Sequence, residues 1–512
     1  MKWKILSLAF AAAAIAADAL PGYSQGYVDD ALRVSKPNLG GSTRTISLGG
    51  AFSSLGGDIG TLNSNPAGLG FFRRSTIAVT PQLNTSDVTS TYFFNKTPGQ
   101  KTGRDYDIEN VGIVVAHSSQ DAEKGIATDN KLVGFAFGAS YTRGNVFNTS
   151  TAFSGRNTGA SFNSVLSNQA NKYGINGQDY GSSLAGIAYD EYLINPLDKA
   201  QTRFAPVQAG ASNQNGVVSQ KGFSDITNVS FGANFGNVMY IGAGVNFNTI
   251  NYERQTDFFE TSYNDPAGKV DGLTYSKYTI QTGNGINGKA GVILNLGNAL
   301  HLGGYAESPT NYRMYESTNL GLWGLKSGSL VPPSVNYPGP SDKPVAGTYD
   351  PYVGSYNTFN IRTPWKFNGG ASLILSSFAL ITGEAEYIDY RSTRFSSGNS
   401  AEDNLTNSTI DAKYKAVINY KAGAELKFGP LSIRGGYAFY PSQYRNTSTD
   451  ADRRIVSAGF GFRTGGFFID FGGIKDFSRS YRTLYTLSDN SGPLLKQYNT
   501  MTGATITIGT RF

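Results

Sequence analysis

The chain is 512 residues long, carries a formal net charge of +6 with only 16% charged residues, and has no cysteine. The missing thiol excludes a disulfide framework, a thiolate metal site and a lipid-attachment cysteine, and so small a positive surplus without a basic run argues against a nucleic-acid surface. A mean hydropathy of −0.28 argues against a helical membrane protein. With 63 Gly, 31 Tyr and 31 Phe, it suits strands, turns and interfacial aromatics, including a transmembrane barrel whose alternating strands average to a polar value.

Residues 1–19 combine Lys2 and Lys4, an apolar run from Ile5 to Ala17 and the small-residue triplet Ala17-Asp18-Ala19. This is the pattern of an export signal, with a second cleavage site near Gln25. Residues 20–74 then divide into a polar, irregular periplasmic lead-in (22–41) and a segment of different composition. From Arg44 to Arg74 the chain carries Gly49, Gly50, Gly56, Gly57, Gly60, Gly68 and Gly70, separated by small or apolar residues such as Ile46, Phe52 and Leu62. Glycines at that density let the backbone turn where a β-carbon would clash, so a compact, buried, partly helical plug is expected. Asn65-Pro66-Ala67-Gly68 closes it, because Pro66 drives Asn65 out of helical geometry and Gly68 permits a tight turn.

Leu48-Gly49-Gly50-Ala51-Phe52, Asp58 and Asn65-Pro66-Ala67-Gly68-Leu69, in this order behind an export signal, resemble the hatch of the FadL/TodX (OmpP1) family of outer-membrane transporters for long-chain fatty acids and other hydrophobic compounds. The resemblance implies a gate built on Gly49, Gly50, Phe52, Asp58, Asn65, Pro66, Ala67 and Gly68. Here Gly60-Thr61-Leu62-Asn63-Ser64 stands where the family often has alanine-rich, acidic sequence.

Beyond the plug the pattern changes to period two, the signature of strands. Fourteen segments are expected, at 75–82, 111–117, 131–142, 226–235, 238–251, 286–296, 299–313, 363–375, 378–391, 413–428, 431–440, 454–463, 467–475 and 503–512, with 88–95 and 275–282 as strand extensions in loops. Two-residue turns at Gly236-Asn237, Gly297-Asn298, Ser376-Ser377, Gly429-Pro430 and Gly465-Gly466 alternate with long polar loops at 252–285, 314–360, 392–411, 441–452 and 476–502. A barrel with one rim toward the periplasm and the other outside produces this alternation, and an even strand number puts every short turn and both termini on one rim.

In 413–428, Tyr414, Ile418, Tyr420, Leu426 and Phe428 share one face, whereas Lys413, Lys415, Asn419, Lys421, Glu425 and Lys427 share the other. A lysine facing lipid costs about 2–4 kcal/mol near the bilayer midplane, so the charged face should line the lumen. The final strand ends on Phe512, and a terminal aromatic there resembles the signal read by the outer-membrane barrel-insertion machinery. Residues 145–224 are the longest interruption and read as an extracellular loop, weakly amphipathic at 164–173 and 185–194. In the resembled family such loops first capture hydrophobic ligand, a part that Leu184, Ile187, Tyr189, Tyr192, Leu193 and Ile194 would play here.

Catalysis finds little support. There are two histidines, His117 and His301, no H-E-x-x-H and no G-x-S-x-G, so no enzyme, metal site or cofactor is expected. Haem capture by the two histidines is a minor reading beside isolated polar residues at a rim. Glu384 and Glu386 share a face, either as a glycosidase-like pair or, preferably, as cross-strand partners of Lys415 or Lys421. A lumen with Arg362, Lys366, Lys415, Lys421 and Arg434 would hold a carboxylate head group while an apolar pocket holds its tail. The competing reading is a charge ladder that stiffens the wall. Ile361-Arg362-Thr363-Pro364-Trp365-Lys366-Phe367 resembles a family stretch entering a barrel strand, with Trp365 as a rim anchor and Pro364 where no ladder bond is needed.

The expectation is therefore an all-β transmembrane antiparallel barrel of about fourteen strands over 75–512, with an N-terminal hatch in its lumen. It would sit as a monomer among outer-membrane lipid of a Gram-negative bacterium and mediate passive uptake of hydrophobic small molecules, first of all long-chain fatty acids. The alternative is a FadL-like barrel that binds protein as part of a secretion or surface-assembly system.

Overall fold

The computed structural model describes residues 21–93, 95–101, 104–118, 132–159, 161–175, 184–264, 270–297, 299–325, 352–375, 378–446, 449–487 and 492–512. The expected export signal, Asn298 and the Ser376-Ser377 turn lie outside them. Fourteen staves form the wall: β1 (Thr76–Tyr92), β2 (Asp105–Ser118), β3 (Leu132–Val146), β4 (Ser212–Phe235), β5 (Met239–Thr261), β6 (Gly272–Leu296), the interrupted β7 (Leu300–Glu307 and Asn311–Leu325) and β8 (Tyr352–Arg362 and Lys366–Leu375), β9 (Ala379–Asp389), β10 (Ala416–Phe428), β11 (Leu431–Tyr440), β12 (Arg453–Thr464), β13 (Phe467–Thr483) and β14 (Leu494–Arg511). Each pairs antiparallel with the next, and β14 returns to β1 with Arg511 opposite Thr76, which closes the barrel. Each expected segment overlaps one stave.

The two faces differ as the alternation requires. On β10, Ile418, Tyr420, Leu426 and Phe428 are exposed on the outside, while Asn419 and Glu425 are fully buried within. Outward aromatics form two tiers, one at the short-turn rim with Phe378, Phe428, Phe462, Phe467 and Phe512, and one farther along with Tyr106, Phe247, Tyr387, Tyr420, Tyr437 and Tyr498. Such girdles mark the two edges of an apolar band. At the rim, Gly236 and Asn237 have φ of 62° and 58°, the doubly positive geometry of a two-residue hairpin turn.

Much of what reads as loop is stave. β5 has 23 residues; at about 3.4 Å per residue and a tilt of about 40°, it rises roughly 55 Å, about twice the apolar band. Above the band both faces are wet, so outward positions become Thr249, Asn251, Glu253 and Gln255 and the hydrophobic period disappears. The expected extensions are strand at 88–92 and 275–282, where they continue β1 and β6, and the same reason corrects 314–325 and 352–360, which belong to β7 and β8. β7 and β8 break side by side at Pro309 and Pro364, which lack an amide hydrogen. Thr310 N–H donates to Thr363 Oγ1 at 2.8 Å and Thr363 N–H to Thr310 O at 3.0 Å across the break. Trp365 is exposed there and stacks on Phe367 with centroids 5.9 Å apart.

Three further segments are corrected. The lead-in is not irregular: α1 (Pro21–Ser35) stands inside the barrel, followed by α2 (Thr43–Ser47) and the short 3-10 turns Ile59–Leu62 and Pro66–Phe71. The outer interruption folds into strand Thr149–Asn157, α3 (Phe162–Tyr173), α4 (Leu184–Asp190) and a small hairpin. Residues 392–411 contain α5 (Ser400–Lys413), N-capped by the Asn399 side chain, so the tenth stave begins at Ala416 and Lys413 and Lys415 lie off it.

Candidate functional site in the barrel lumen

The plug fits because glycines on both sides remove side chains where backbones meet. A β-carbon on Gly436 of β11 would lie 2.1 Å from Gly49 N, one on Gly303 of β7 2.2 Å from Ser53 O, and one on Gly242 of β5 2.3 Å from the Pro66 carbonyl carbon. Gly49 and Gly50 hold positive φ, which turns the chain against β10 and β11. Asn65 is the central staple. Its Oδ1 accepts from Ala67 N–H at 3.0 Å, opening the Pro66 turn, while Nδ2 donates to Ser53 O at 2.7 Å, Val292 O at 3.1 Å and Gly304 O at 3.2 Å. Ala67 packs with Tyr240 and Ile293, and Gly68 N–H donates to Asn65 O.

Charge secures the opposite side. Arg44 donates to both oxygens of Glu425, Nε at 2.8 Å and Nη2 at 3.2 Å, and Glu425 is fully buried. Arg434 donates to Glu425 at 2.6 Å and to Asp470 at 2.5 Å, and Arg463 reaches Asp58 and Asp470, each at 3.8 Å. Asp58 accepts from Ser42 Oγ at 2.5 Å and Gly60 N–H at 3.0 Å. Phe52 is buried beside Leu48, Leu55 and Leu380, and its N–H donates to Glu384 at 3.1 Å.

The expected ligand cations are therefore mostly committed to the wall. Arg434 is sealed between Glu425 and Asp470. Lys421 bonds Glu384 at 2.9 Å and lies 4.0 Å from Glu386, as the cross-strand expectation holds, and Lys366 pairs with Glu307 at 3.2 Å. Arg362 is corrected: it shares the exposed face of Thr358 and Asn360, outside the barrel. Lys415 is corrected too, since it precedes β10 and its N–H donates to Gln443 O at 2.9 Å. The histidines cannot share one haem: His117 is exposed on β2, while His301 is buried on β7 near Phe71. In the expected capture set, Ile187, Leu193 and Ile194 are fully buried and Tyr192 is exposed.

Five layers follow one another down the lumen, legible along the inward residues of β5 and β6. Outermost is a cap, where Phe258 and Leu273 join Tyr92, Leu322 and Leu495 beneath α3 and α4. Next come Arg254, Lys277 and Arg482. Below them Ile250 and Tyr252, with Met314, Phe359, Ile361 and Phe395, receive Tyr27, Val28, Ala31 and Leu32 of α1. A polar layer containing Asn246, Asn287 and Lys289 leads to the plug against Gly242 and Gly291.

The second layer was missed by sequence reasoning because its members stand on wet strand extensions. Arg254, Lys277 and Arg482 are half-buried and, among the described residues, none forms an ion pair with a carboxylate. Arg482 donates to Gln220 Oε1 at 3.2 Å. Lys277 lies well above the apolar band; burial, reinforced by Arg254 and Arg482, brings its ammonium down to about 8. The carboxylates whose charge opposes that shift, Glu316 and Asp30, are engaged by Gln281 Nε2 at 2.6 and 2.5 Å.

No protein-family model matches the chain, and no curated protein does. Among solved structures, a Pseudomonas aeruginosa FadL homologue aligns with TM-score 0.53 and 12% identity over 93% of this chain and 99% of its own. The Pseudomonas putida toluene transporter TodX aligns with TM-score 0.50 and 12% identity over 93% of this chain and 100% of its own. The chain thus has the fold of the FadL and TodX barrels, over nearly its whole described length.

Proposed function

We propose that this protein is a channel in the outer membrane of a Gram-negative bacterium, through which hydrophobic small molecules with an anionic head, long-chain fatty acids first among them, enter passively past the plug. The observation that carries this reading is the layer of Arg254, Lys277 and Arg482, which among the described residues form no ion pair with a carboxylate, directly above an apolar, aromatic lining that packs against α1. Such a pairing matches an amphiphile, because a charge-assisted contact fixes the head while burial of the tail supplies most of the affinity. The neighbouring barrels, one of them a toluene transporter, support the hydrophobic class. The committed pairs at Arg434, Lys421 and Lys366 leave those residues as wall structure. The plug, from Gly49 to Gly68, is the gate in this reading.

The test is mass spectrometry of molecules extracted from the natively purified barrel, followed by titration with a long-chain carboxylate. Bound carboxylate, displaced in the titration and lost when Arg254, Lys277 and Arg482 are replaced together by Gln, supports the proposal. An empty barrel with no saturable binding overturns it and redirects the search to a protein partner.

A further inference from the structure

The apolar pocket of the third layer is filled by the chain itself. Tyr27, Val28, Ala31 and Leu32 recur at helical spacing, and all four are buried against the pocket wall. Tyr27 stacks on Phe395 with centroids 4.7 Å apart and meets Phe359 at 4.8 Å. At about 1.5 Å per residue α1 is roughly 21 Å long, the scale of an extended lipid tail.

Among the described residues α1 makes no ion pair to a stave, unlike the plug below it. Residues 42–72 are tied by buried ion pairs and by backbone contacts against wall glycines. α1 is held in place by non-directional apolar packing, the Tyr414 hydroxyl donating to Val28 O at 3.0 Å, the Lys413–Asp29 pair at 2.9 Å whose side chains are about one-third exposed, the Asn357 amide donating to Tyr27 Oη at 3.3 Å, and one buried polar cluster in which Asp30 pairs with Arg33 and accepts from Gln281 Nε2 at 2.5 Å while Arg33 donates to Gln281 Oε1 at 2.8 Å and lies over the Tyr252 ring. An exposed ion pair holds weakly, and an aliphatic or aromatic tail satisfies the same lining as Val28 and Leu32 do.

We propose that α1 is a built-in competitor: the pocket beneath Arg254, Lys277 and Arg482 is a tail-binding site for a hydrophobic ligand, and ligand and helix occupy it in turn. This rests on the uptake reading for the ligand class. Apparent affinity is then the intrinsic affinity reduced by the fraction of molecules in which the helix has left.

The absence of native cysteine allows a clean test. Asp29→Cys with Lys413→Cys, bridged by a short reducible thiol crosslinker, ties α1 in place, and binding of a fluorescent long-chain carboxylate is measured on the full-length barrel before and after reduction. The expected result is at least tenfold weaker binding in the bridged form, restored by reductant. A second variant, Val28→Ala with Leu32→Ala, loosens the helix without a crosslink and should bind the same probe severalfold more tightly than the unmodified protein. Equal affinity in bridged and reduced forms overturns the competition while leaving the uptake reading standing. No binding in either form, or in the unmodified barrel, removes both.

Discussion

Replacing Arg44 by Met tests the plug latch. The guanidinium is bidentate on Glu425, whose side chain is 0% exposed, at 2.8 and 3.2 Å. Breaking a buried pair costs about 3–5 kcal/mol when the remaining charge is stranded. Here Glu425 keeps Arg434 at 2.6 Å and Lys427 at 3.3 Å, so the loss belongs at the lower end, about 3 kcal/mol. At 1.4 kcal/mol per decade, that raises the population of the released plug about a hundredfold. Hydrogen exchange read by mass spectrometry reports this directly: amides of residues 48–55 should exchange about a hundredfold faster, with the amides of β10 and β11 unchanged. The double variant Arg44→Met with Glu425→Gln should cost less than the sum of the single changes, because the two groups act as one pair. Unchanged exchange at residues 48–55, or strict additivity, would refute the latch.

Three more outcomes follow from the same geometry. Gly436→Ala should displace the plug and admit hydrophilic antibiotics into cells, since its methyl group meets backbone at 2.1 Å, whereas Gly435→Ala, with nothing within 4 Å, should be silent. Pro66→Ala with Gly68→Ala should change uptake while leaving heat-modifiable barrel migration intact, because a Gly68 β-carbon would press on Thr61 at 2.7 Å and Leu55 O at 2.8 Å inside the plug alone; failure to assemble would make this turn structural. Carboxylate affinity should fall about tenfold between pH 7 and 9 as the Lys277 ammonium is lost above about 8; Lys277→Arg should flatten that dependence, and a long-chain alcohol should show none, as titration calorimetry can establish.

The barrel was legible because lipid on one side and packed lumen on the other impose a strict alternation, so the fourteen segments, the short-turn rim and the inward Lys421 and Glu425 could be read from residue order. The turns of residues 44–72 were legible on other grounds, since their glycines and the Asn65-Pro66 turn are local backbone chemistry. Illegible were the features that depend on distant residues meeting. Above the apolar band no hydrophobic contrast marks the faces, and the staves there read as loop; α1 shows an amphipathic face whose partners, among them Phe359 and Phe395, stand far away in the chain, which no local pattern names. Whether a lumen cation is spent is likewise a matter of register: Arg434 and Lys421 pair with carboxylates on neighbouring strands, while Arg254, Lys277 and Arg482, far apart in the chain, come together without an ion pair among the described residues. Sequence determined the closed wall and its plug, because each stave solves the bilayer's demand by itself; tertiary structure alone decided the site, because charge and volume in the lumen are sums over the whole circle of strands.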